Sequence, residues 1–475
     1  MWQHKYVKHF YGITSLWKTK MNIVSLFSGC GGLDLGFERA GFKVIWANEF
    51  DKSIHATYKL NHPDTILNTS DIRSLSVSDI PDCDGIIGGP PCQSWSLGGR
   101  SMGMEDERGR LVLDYIRIVK GKRPKFFIME NVAGMVSPRH IESFESFLKD
   151  FKDIGYNVKY ELLNAADYII PQDRFRVFIV GIRKDINCMY IFPPAQSETH
   201  IPLSKAIGDI IEVPKPYNNE IVDCNYGTIQ NHDYYTGDFD NKFMARNRIR
   251  GWHEVSYTIQ AQAKNEPLHP QAPKMEFVSS NQRKFKEGYE GLYRRLSVRE
   301  CARIQSFPDH FRFIYSNVKD GYKMVGNAVP PRLAFYLAES IKRCFDNAEY
   351  SKTDKSVLIG YVKSEKDLSI IRKNKVYYIR GGSRPGAMQF RQLDKPIKWL
   401  LLHRNKERYL FELEDKVAES CDKSKLKMFG FSPQGDDYWF FSIKKELPFI
   451  LEDSVFSKLV INTKKPQITE VSRQL

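Results

Sequence analysis

No stretch of this sequence approaches the ~20 consecutive apolar residues that a membrane-spanning helix requires. The opening MWQHKYVKHFYGITSLWKTK carries basic and aromatic residues but no apolar core of a secretion signal. A membrane role and export are therefore set aside, and the cytosol is the expected location. The eight cysteines, Cys30, Cys83, Cys92, Cys188, Cys224, Cys301, Cys344 and Cys421, never fall into the paired CxxC spacing of a zinc site. Neither a metal nor a disulfide is expected, and the ordinary reading of such a cysteine is a small buried hydrophobe. Internal repeats and long low-complexity tracts are also missing, so neither a solenoid nor a disordered scaffold is indicated. Acidic charge is short: 57 Asp+Glu face 71 Lys+Arg, a formal net charge of +14 over 475 residues. That balance favours a polyanionic partner, nucleic acid before a membrane surface. The length exceeds what one core usually serves, so two or three domains are expected.

From Met21 to about Phe192 short apolar runs alternate with amphipathic stretches, the pattern of an α/β, doubly wound and mostly parallel sheet. Strands are predicted at 22–27, 43–47, 85–87, 125–130 and 175–181, with helices at 33–40, 51–60, 110–120 and 141–153. From about Gln196 to Gly291 this rhythm gives way to a basic, Asn/Tyr/Pro-rich region, read as a second, smaller domain. Helical spacing returns at 296–307 and 332–345, around a Gly/Asn/Pro-punctuated stretch at 325–331. Beyond Ala348 a polar stretch leads into strands at 357–362, 376–380, 399–403, 409–413 and 438–443. The domain reading is an extension at 1–20, a catalytic and cofactor-binding domain at 21–195, a recognition domain at 196–290, a return to the catalytic domain at 291–348, and a β-rich module at 349–475. The extension is either a basic arm or an upstream start, with Met21 the true beginning.

Four elements carry chemistry. The turn Phe27-Ser28-Gly29-Cys30-Gly31-Gly32 follows a strand and opens a helix, where glycine lets a ligand approach the backbone. Such a turn alone is weak, since nicotinamide enzymes use a related one. Glu49 after the second strand can accept ribose hydroxyls, and Asp71 lies near the third strand end; either could equally be a surface acid. Gly88-Gly89-Pro90-Pro91-Cys92 stiffens the loop ahead of Cys92 and offers its sulfur at a strand's carboxyl end. A cysteine so presented suits a nucleophile, since a thiolate adds readily to an electron-poor ring carbon. Phe126 to Asn131 is an apolar strand ending in Glu130, which can serve a ring nitrogen or merely cap the strand. In Gln172-Asp173-Arg174-Phe175-Arg176 two arginines fall on one face and could hold a carbonyl oxygen and a phosphate.

In this order on successive strands, these elements resemble the C5-cytosine DNA methyltransferase family of the bacterial restriction-modification type, from Ile23 to about Ile341. The resemblance implies a Rossmann-like methyltransferase fold. It implies an S-adenosylmethionine site lined by Phe27, Gly29, Gly31, Glu49, Asp71, Ile72, Pro91, Leu111, Asn327 and Val329. Cys92 would be the nucleophile, Glu130 the N3 partner, and Arg174 and Arg176 the paired arginines, Arg176 meeting O2. Residues 294–309 look like the late helix motif that organises the recognition domain, and 325–331 like the motif that closes the cofactor pocket. Trp95 stands where the family often has Phe, and Phe50 follows Glu49. The implied partner is double-stranded DNA, with a restriction endonuclease as functional counterpart, and a monomer is expected.

The target cytosine would leave the duplex at a cost of ~a few kcal/mol, with the glycine-rich loop at 96–109 as a lid or a plain surface loop. Arg246, Arg248, Arg250, Trp252, Gln260, Gln262 and Lys264 cluster in the recognition region, although phosphate contacts draw on the same residue types as base contacts. The tail is read as a small barrel that binds nucleic acid, or as a stabilising appendage. Rival readings are a tRNA cytosine-5 methyltransferase, whose Cys-Phe-Thr signature is missing here, a non-catalytic DNA-binding regulator, and a nicotinamide oxidoreductase.

Overall fold

In a computed structural model, the described residues are 21–91, 111–186, 188, 190–197, 199–217, 228–353, 356–380, 397, 399–404, 407–414, 419–432, 438–447 and 467–470. Cys92, the loop at 96–109 and the first twenty residues lie outside them. The chain divides into two compact units, one holding Lys18–Phe345 and the other Asp346–Leu475.

The larger unit begins with β1 (Asn22–Leu26), α1 (Gly32–Arg39), β2 (Lys43–Asn48), α2 (His55–Asn61), β3 (Ile66–Asn68), β4 (Gly85–Gly88), α3 (Leu111–Lys122), β5 (Phe126–Val132), α4 (Ile141–Asp153), β6 (Tyr156–Asn164) and β7 (Phe175–Arg183). The sheet order is β3-β2-β1-β4-β5-β7-β6. The first five strands are parallel, whereas β7 runs antiparallel to both β5 and β6. The short link from β6 to β7 explains the reversal, because a parallel crossover needs a dozen or more residues. All of β4 and nearly all of β5 are buried, as expected of strands covered on both faces. In α4 the side chains of Phe144, Phe147, Leu148 and Phe151 recur at three- and four-residue spacing and are buried. Phe127, Phe151, Tyr115 and Tyr156 form an aromatic cluster beneath the sheet.

The middle of the unit consists of short pieces: α5 (Leu203–Ile207), β8 (Lys215–Tyr217), β9 (Asp233–Tyr235), α6 (Asn241–Met244), β10 (Glu276–Ser279) and β11 (Gln282–Lys284). They lead to α7 (Val298–Ile304), α8 (Val318–Asn327) and α9 (Pro331–Thr353). Pieces this short cannot hold themselves together by periodic apolar faces, and buried arginines bind them together with small apolar clusters such as Phe243, Ile249, Leu268 and Met275. Arg295 donates to the carbonyls of Tyr235, Gly237, Asp238 and Lys264 and packs on the Phe239 ring. Arg299 does the same for Gln230, Pro308 and Phe311. One apolar cluster joins Leu203, Ile207, Tyr217 and Ile259 to Cys30, Ile54, Leu296 and Val298. Residues of 196–290 therefore share a core with residues that precede and follow them in the chain.

Two expectations are corrected. Cys188 and Cys344, 156 residues apart in sequence, lie side by side with Cα atoms 5.6 Å apart, within the range of a bridge, a proximity that spacing along the chain cannot reveal. The second unit is not a closed barrel among the described residues. It contains β12 (Ser356–Tyr361), α10 (Glu365–Asn374), β13 (Val376–Arg380), β14 (Trp399–Arg404), β15 (Glu407–Leu413), β16 (Glu419–Cys421), α11 (Lys423–Met428), β17 (Tyr438–Leu447) and β18 (Gln467–Glu470). Its sheet runs β13-β17-β15-β14-β12-β18 with β16 beside β17, and no pairing joins β13 to β18. No helix of the described residues is long and apolar enough to cross a membrane.

Helix α7 starts at a capping box, Ser297 accepting from the Glu300 amide and Glu300 from the Ser297 amide. Glu300, only 1 % exposed, also accepts from both terminal nitrogens of Arg294 at 2.8 and 2.7 Å. Burial would raise its pKa, but the bonds and charge of Arg294 outweigh it and hold the carboxyl down from 4.5 to about 2. A depressed carboxyl contributes stability that is present above its unfolded pKa and lost as pH falls through the folded one. Glu300→Gln should cost about 3–5 kcal/mol at neutral pH by leaving Arg294 unpaired, read from the urea transition of the larger unit. The gap to the native chain should shrink as pH falls from 4.5 towards 2. A gap that stays constant over that window would contradict the assignment.

Candidate active site

The carboxyl ends of β1, β2, β3, β4 and β5 open on the same edge of the parallel sheet, where a doubly wound fold collects its ligands. After β1 the backbone turns through Phe27 at φ 53°, Gly29 at 56° and Gly31 at 89°. This left-handed conformation is costly for Phe27 and natural for the glycines. A Cβ on Gly31 would meet the His62 Nε2 at 2.0 Å and one on Gly32 the Val329 carbonyl at 2.4 Å, whereas nothing lies within 4 Å of one on Gly29. The turn is thus packed from below and open at Gly29.

Glu49, just beyond β2, accepts from the Gly29 amide at 2.9 Å through Oε2 and from the Asp51 amide at 2.8 Å through Oε1. Burial raises its pKa, and these two amides oppose the rise. Each oxygen keeps lone-pair capacity for a further donor. Asp71 caps the turn before Ile72 by accepting from the Arg73 amide, and Arg73 also clasps the carboxylate at 3.0 and 2.6 Å. Ile72 is buried, Leu111 begins α3 and packs on the sheet core, and Pro91 is exposed. Asn327 is exposed at the end of α8, while Val329 is buried with its carbonyl against Gly32. The glycine turn, Glu49 and the 327–329 segment therefore come together, and an open glycine beside a carboxylate acceptor fits the ribose and amino-acid portions of S-adenosylmethionine.

Glu130 and Asn131 lie near the end of β5, against the loop after β4. The Glu130 Oε2 sits 2.9 Å from where a Gly89 Cβ would be, and Asn131 Nδ2 donates to the Pro90 carbonyl at 3.4 Å. A side chain at position 89 would push the proline loop off the carboxylate. Cys92 itself lies outside the described residues. Arg176 pairs through Nε with Glu130 Oε1 at 3.0 Å, both side chains mostly covered. Burial pushes the Glu130 carboxyl up, and the charges of Arg176 and Arg174 pull it back. The net direction is upward, the direction that favours sharing a proton with a ring nitrogen.

Arg174 is placed differently from the open contact to O2 or phosphate that its motif suggests. Only 1 % exposed, it donates to the carbonyls of Ile259 at 3.3 Å, Gly326 at 2.9 Å and Ala328 at 3.0 Å. Burial, then the charge of Arg176, lowers its pKa. Beside it the Gln172 amide donates to Gln305 Oε1 and accepts from the Ile259 amide, both at 2.9 Å, and Gln305 donates to the Val325 carbonyl at 2.8 Å. Reading 172–176 for charged groups alone misses this framework; the two glutamines are its signal.

In the recognition region Arg248 is buried on the Phe243 and Lys242 carbonyls. Arg250 is shared among Asp173, Glu254 and the Tyr257 ring. Trp252 packs edge-on against His269, and Gln260 donates to the Thr258 carbonyl. Arg246, Gln262 and Lys264 are exposed. Among the described residues no cluster of three or more His, Cys, Asp or Glu could hold a metal ion.

Known proteins resemble this chain in sequence and in fold. The profile of the C-5 cytosine-specific DNA methylase family matches residues 21–343. The chain is 50 % identical over 332 residues to the type II methyltransferase M.NgoPII of Neisseria gonorrhoeae, covering 69 % of this chain and 96 % of that protein. It is 49 % identical over 340 residues to M.FnuDI of Fusobacterium nucleatum, covering 70 % and 98 %. The solved methyltransferase EhMeth of Entamoeba histolytica, at 18 % identity, superposes with a TM-score of 0.51 over 70 % of this chain and 99 % of its own, a likeness of fold. The protein is a DNA cytosine-5-methyltransferase, and the chain belongs to the C-5 cytosine-specific DNA methylase family.

Proposed function

We propose that the protein methylates C5 of a cytosine flipped out of a specific duplex DNA sequence, through a transient bond between Cys92 and C6. The observation that carries the reading is the Glu130–Arg176 pair at the end of β5, packed on the Gly89-Pro90 turn that leads into Cys92. Bound at the glycine turn, S-adenosylmethionine supplies an electrophilic methyl group on a sulfonium. Cys92, as thiolate, adds to C6. Glu130 meets N3 and relieves the charge that addition drives into the ring, with Arg176 holding that carboxyl in place and reaching O2. C5 then takes the methyl from the sulfonium, a base or ordered water takes the C5 proton, and the C6–S bond breaks to release Cys92 as thiolate. Glu49 and the open face at Gly29 orient the cofactor, and Arg246 and Lys264 are exposed and available to phosphate. Relatives with the type II methyltransferase name support a role in protecting host DNA against a partner restriction endonuclease.

Duplex DNA carrying 5-fluorocytosine blocks the final elimination and should leave the enzyme covalently trapped when S-adenosylmethionine is present. A mass shift in the native chain that disappears in Cys92→Ala is the expected result. A trap on tRNA alone would transfer the reading to an RNA enzyme, and a trap that survives Cys92→Ala would remove the nucleophile assignment. Glu130→Gln should lower the methyl-transfer rate by about 10²–10⁴-fold while DNA affinity, measured by gel shift, stays near native. An equal loss of both would assign Glu130 to architecture alone.

A further inference from the structure

Beneath the glycine turn lies a buried polar group that the reaction does not use. Asp34 in the first turn of α1 accepts from Ser25 Oγ and Tyr58 OH, both at 2.6 Å. His62, just after α2 and 2 % exposed, stacks on the Tyr58 ring and sets its Nδ1 3.0 Å from Glu38 Oε2. Its Nε2 is aimed at the Gly31 backbone, occupying the space of the missing Cβ, and lacks a fully formed hydrogen bond there.

We propose that His62 is a positioning residue for the cofactor turn: wedged between Glu38 and the Gly31 peptide, its ring fixes the turn so that Gly29 stays open to the ligand. The inference rests on the reading of this turn as the S-adenosylmethionine site. With both ring nitrogens protonated, one can donate to Glu38 while the other presents a proton to the Gly31 backbone. The neutral ring loses one of these. The groups around it set which form prevails. Asp34 and Glu38 face it from α1, Tyr58 from α2, and the Phe311 ring edge from the segment after α7. Within the turn Cys30 stays neutral, its thiol pushed up to about 12 by burial. Burial works against a charged His62, but Glu38, Asp34 and the Gly31 backbone raise its pKa above the ordinary 6.5. Affinity for the cofactor is therefore full below that raised pKa and declines as pH rises through it.

The test is calorimetric titration of the full-length protein with S-adenosylmethionine across pH, for the native chain, Glu38→Gln and His62→Gln, with DNA affinity and thermal midpoint measured alongside. The native affinity should weaken by about tenfold across the transition, the scale of one charge-assisted hydrogen bond. Glu38→Gln should move the decline to lower pH. His62→Gln, which keeps a donor near Gly31 but cannot ionise, should abolish the decline and leave DNA affinity unchanged. A native chain that binds S-adenosylmethionine with a pH profile unaffected by either substitution overturns the proposal alone. A native chain that binds none at any pH overturns the cofactor reading and the proposal with it.

Discussion

Three backbone carbonyls, from Ile259, Gly326 and Ala328, converge on the guanidinium of Arg174 in the interior of the larger unit. Burying a guanidinium is expensive unless its donors are satisfied, and five N–H groups in a fixed fork can serve separate chain segments at once. The segment that Arg174 begins is continuous with β7, whose Arg176 pairs with Glu130 on β5. The carbonyls it holds belong to the recognition region and to the end of α8, whose continuation covers the glycine turn at Gly32. The Gln172–Gln305 contact repeats the same connection. The Glu130 carboxyl, the glycine turn and the segment around Ile259 are thereby held to one another through one buried node of Arg174, Gln172 and Gln305.

The node also explains why small residues fall where they do. A Cβ on Gly326 would lie 2.2 Å from the Gln260 backbone, so α8 can approach the recognition segment only with glycine there. That approach brings the Ile259 carbonyl and those of Gly326 and Ala328 within reach of one guanidinium. Arg295 and Arg299 use the same device farther out, collecting carbonyls from irregular stretches that have no ladder or helix to satisfy them. In a region of three- to five-residue elements, buried arginine does what periodic apolar faces do in the sheet.

The sheet was legible because its strands are apolar runs bounded by glycine, proline or acidic residues, and β1, β2, β4, β5 and β7 were all expected within a residue or two at most ends. Strand β6 was not: as an edge strand, its middle is exposed, so Lys159 to Glu161 carry no burial pattern. Helix α8 was not expected: its last residues fall in the stretch 325–331, read as Gly/Asn/Pro-punctuated, and Gly321 and Gly326 sit inside it. Both are tolerated since neighbours fill the space a side chain would take, the Tyr315 ring at Gly321 and the Gln260 backbone at Gly326. In the site, spacing marked Glu49 and Glu130 because each ends an apolar strand. It did not mark His62, whose importance lies in touching Gly31 across 31 residues of chain, nor the burial of Arg174, because a charged residue beside a strand looks the same whether it faces solvent or a buried carbonyl.

Hydrogen exchange on Arg174→Lys tests the node directly, since a lysine cannot span three carbonyls in a fixed fork. The account predicts that the amides of 256–263 and 321–329 lose protection together while those of β4 and β5 keep it. Native protection in both segments, or loss in one without the other, would contradict the claim that one buried guanidinium holds the site and the recognition segment as a unit.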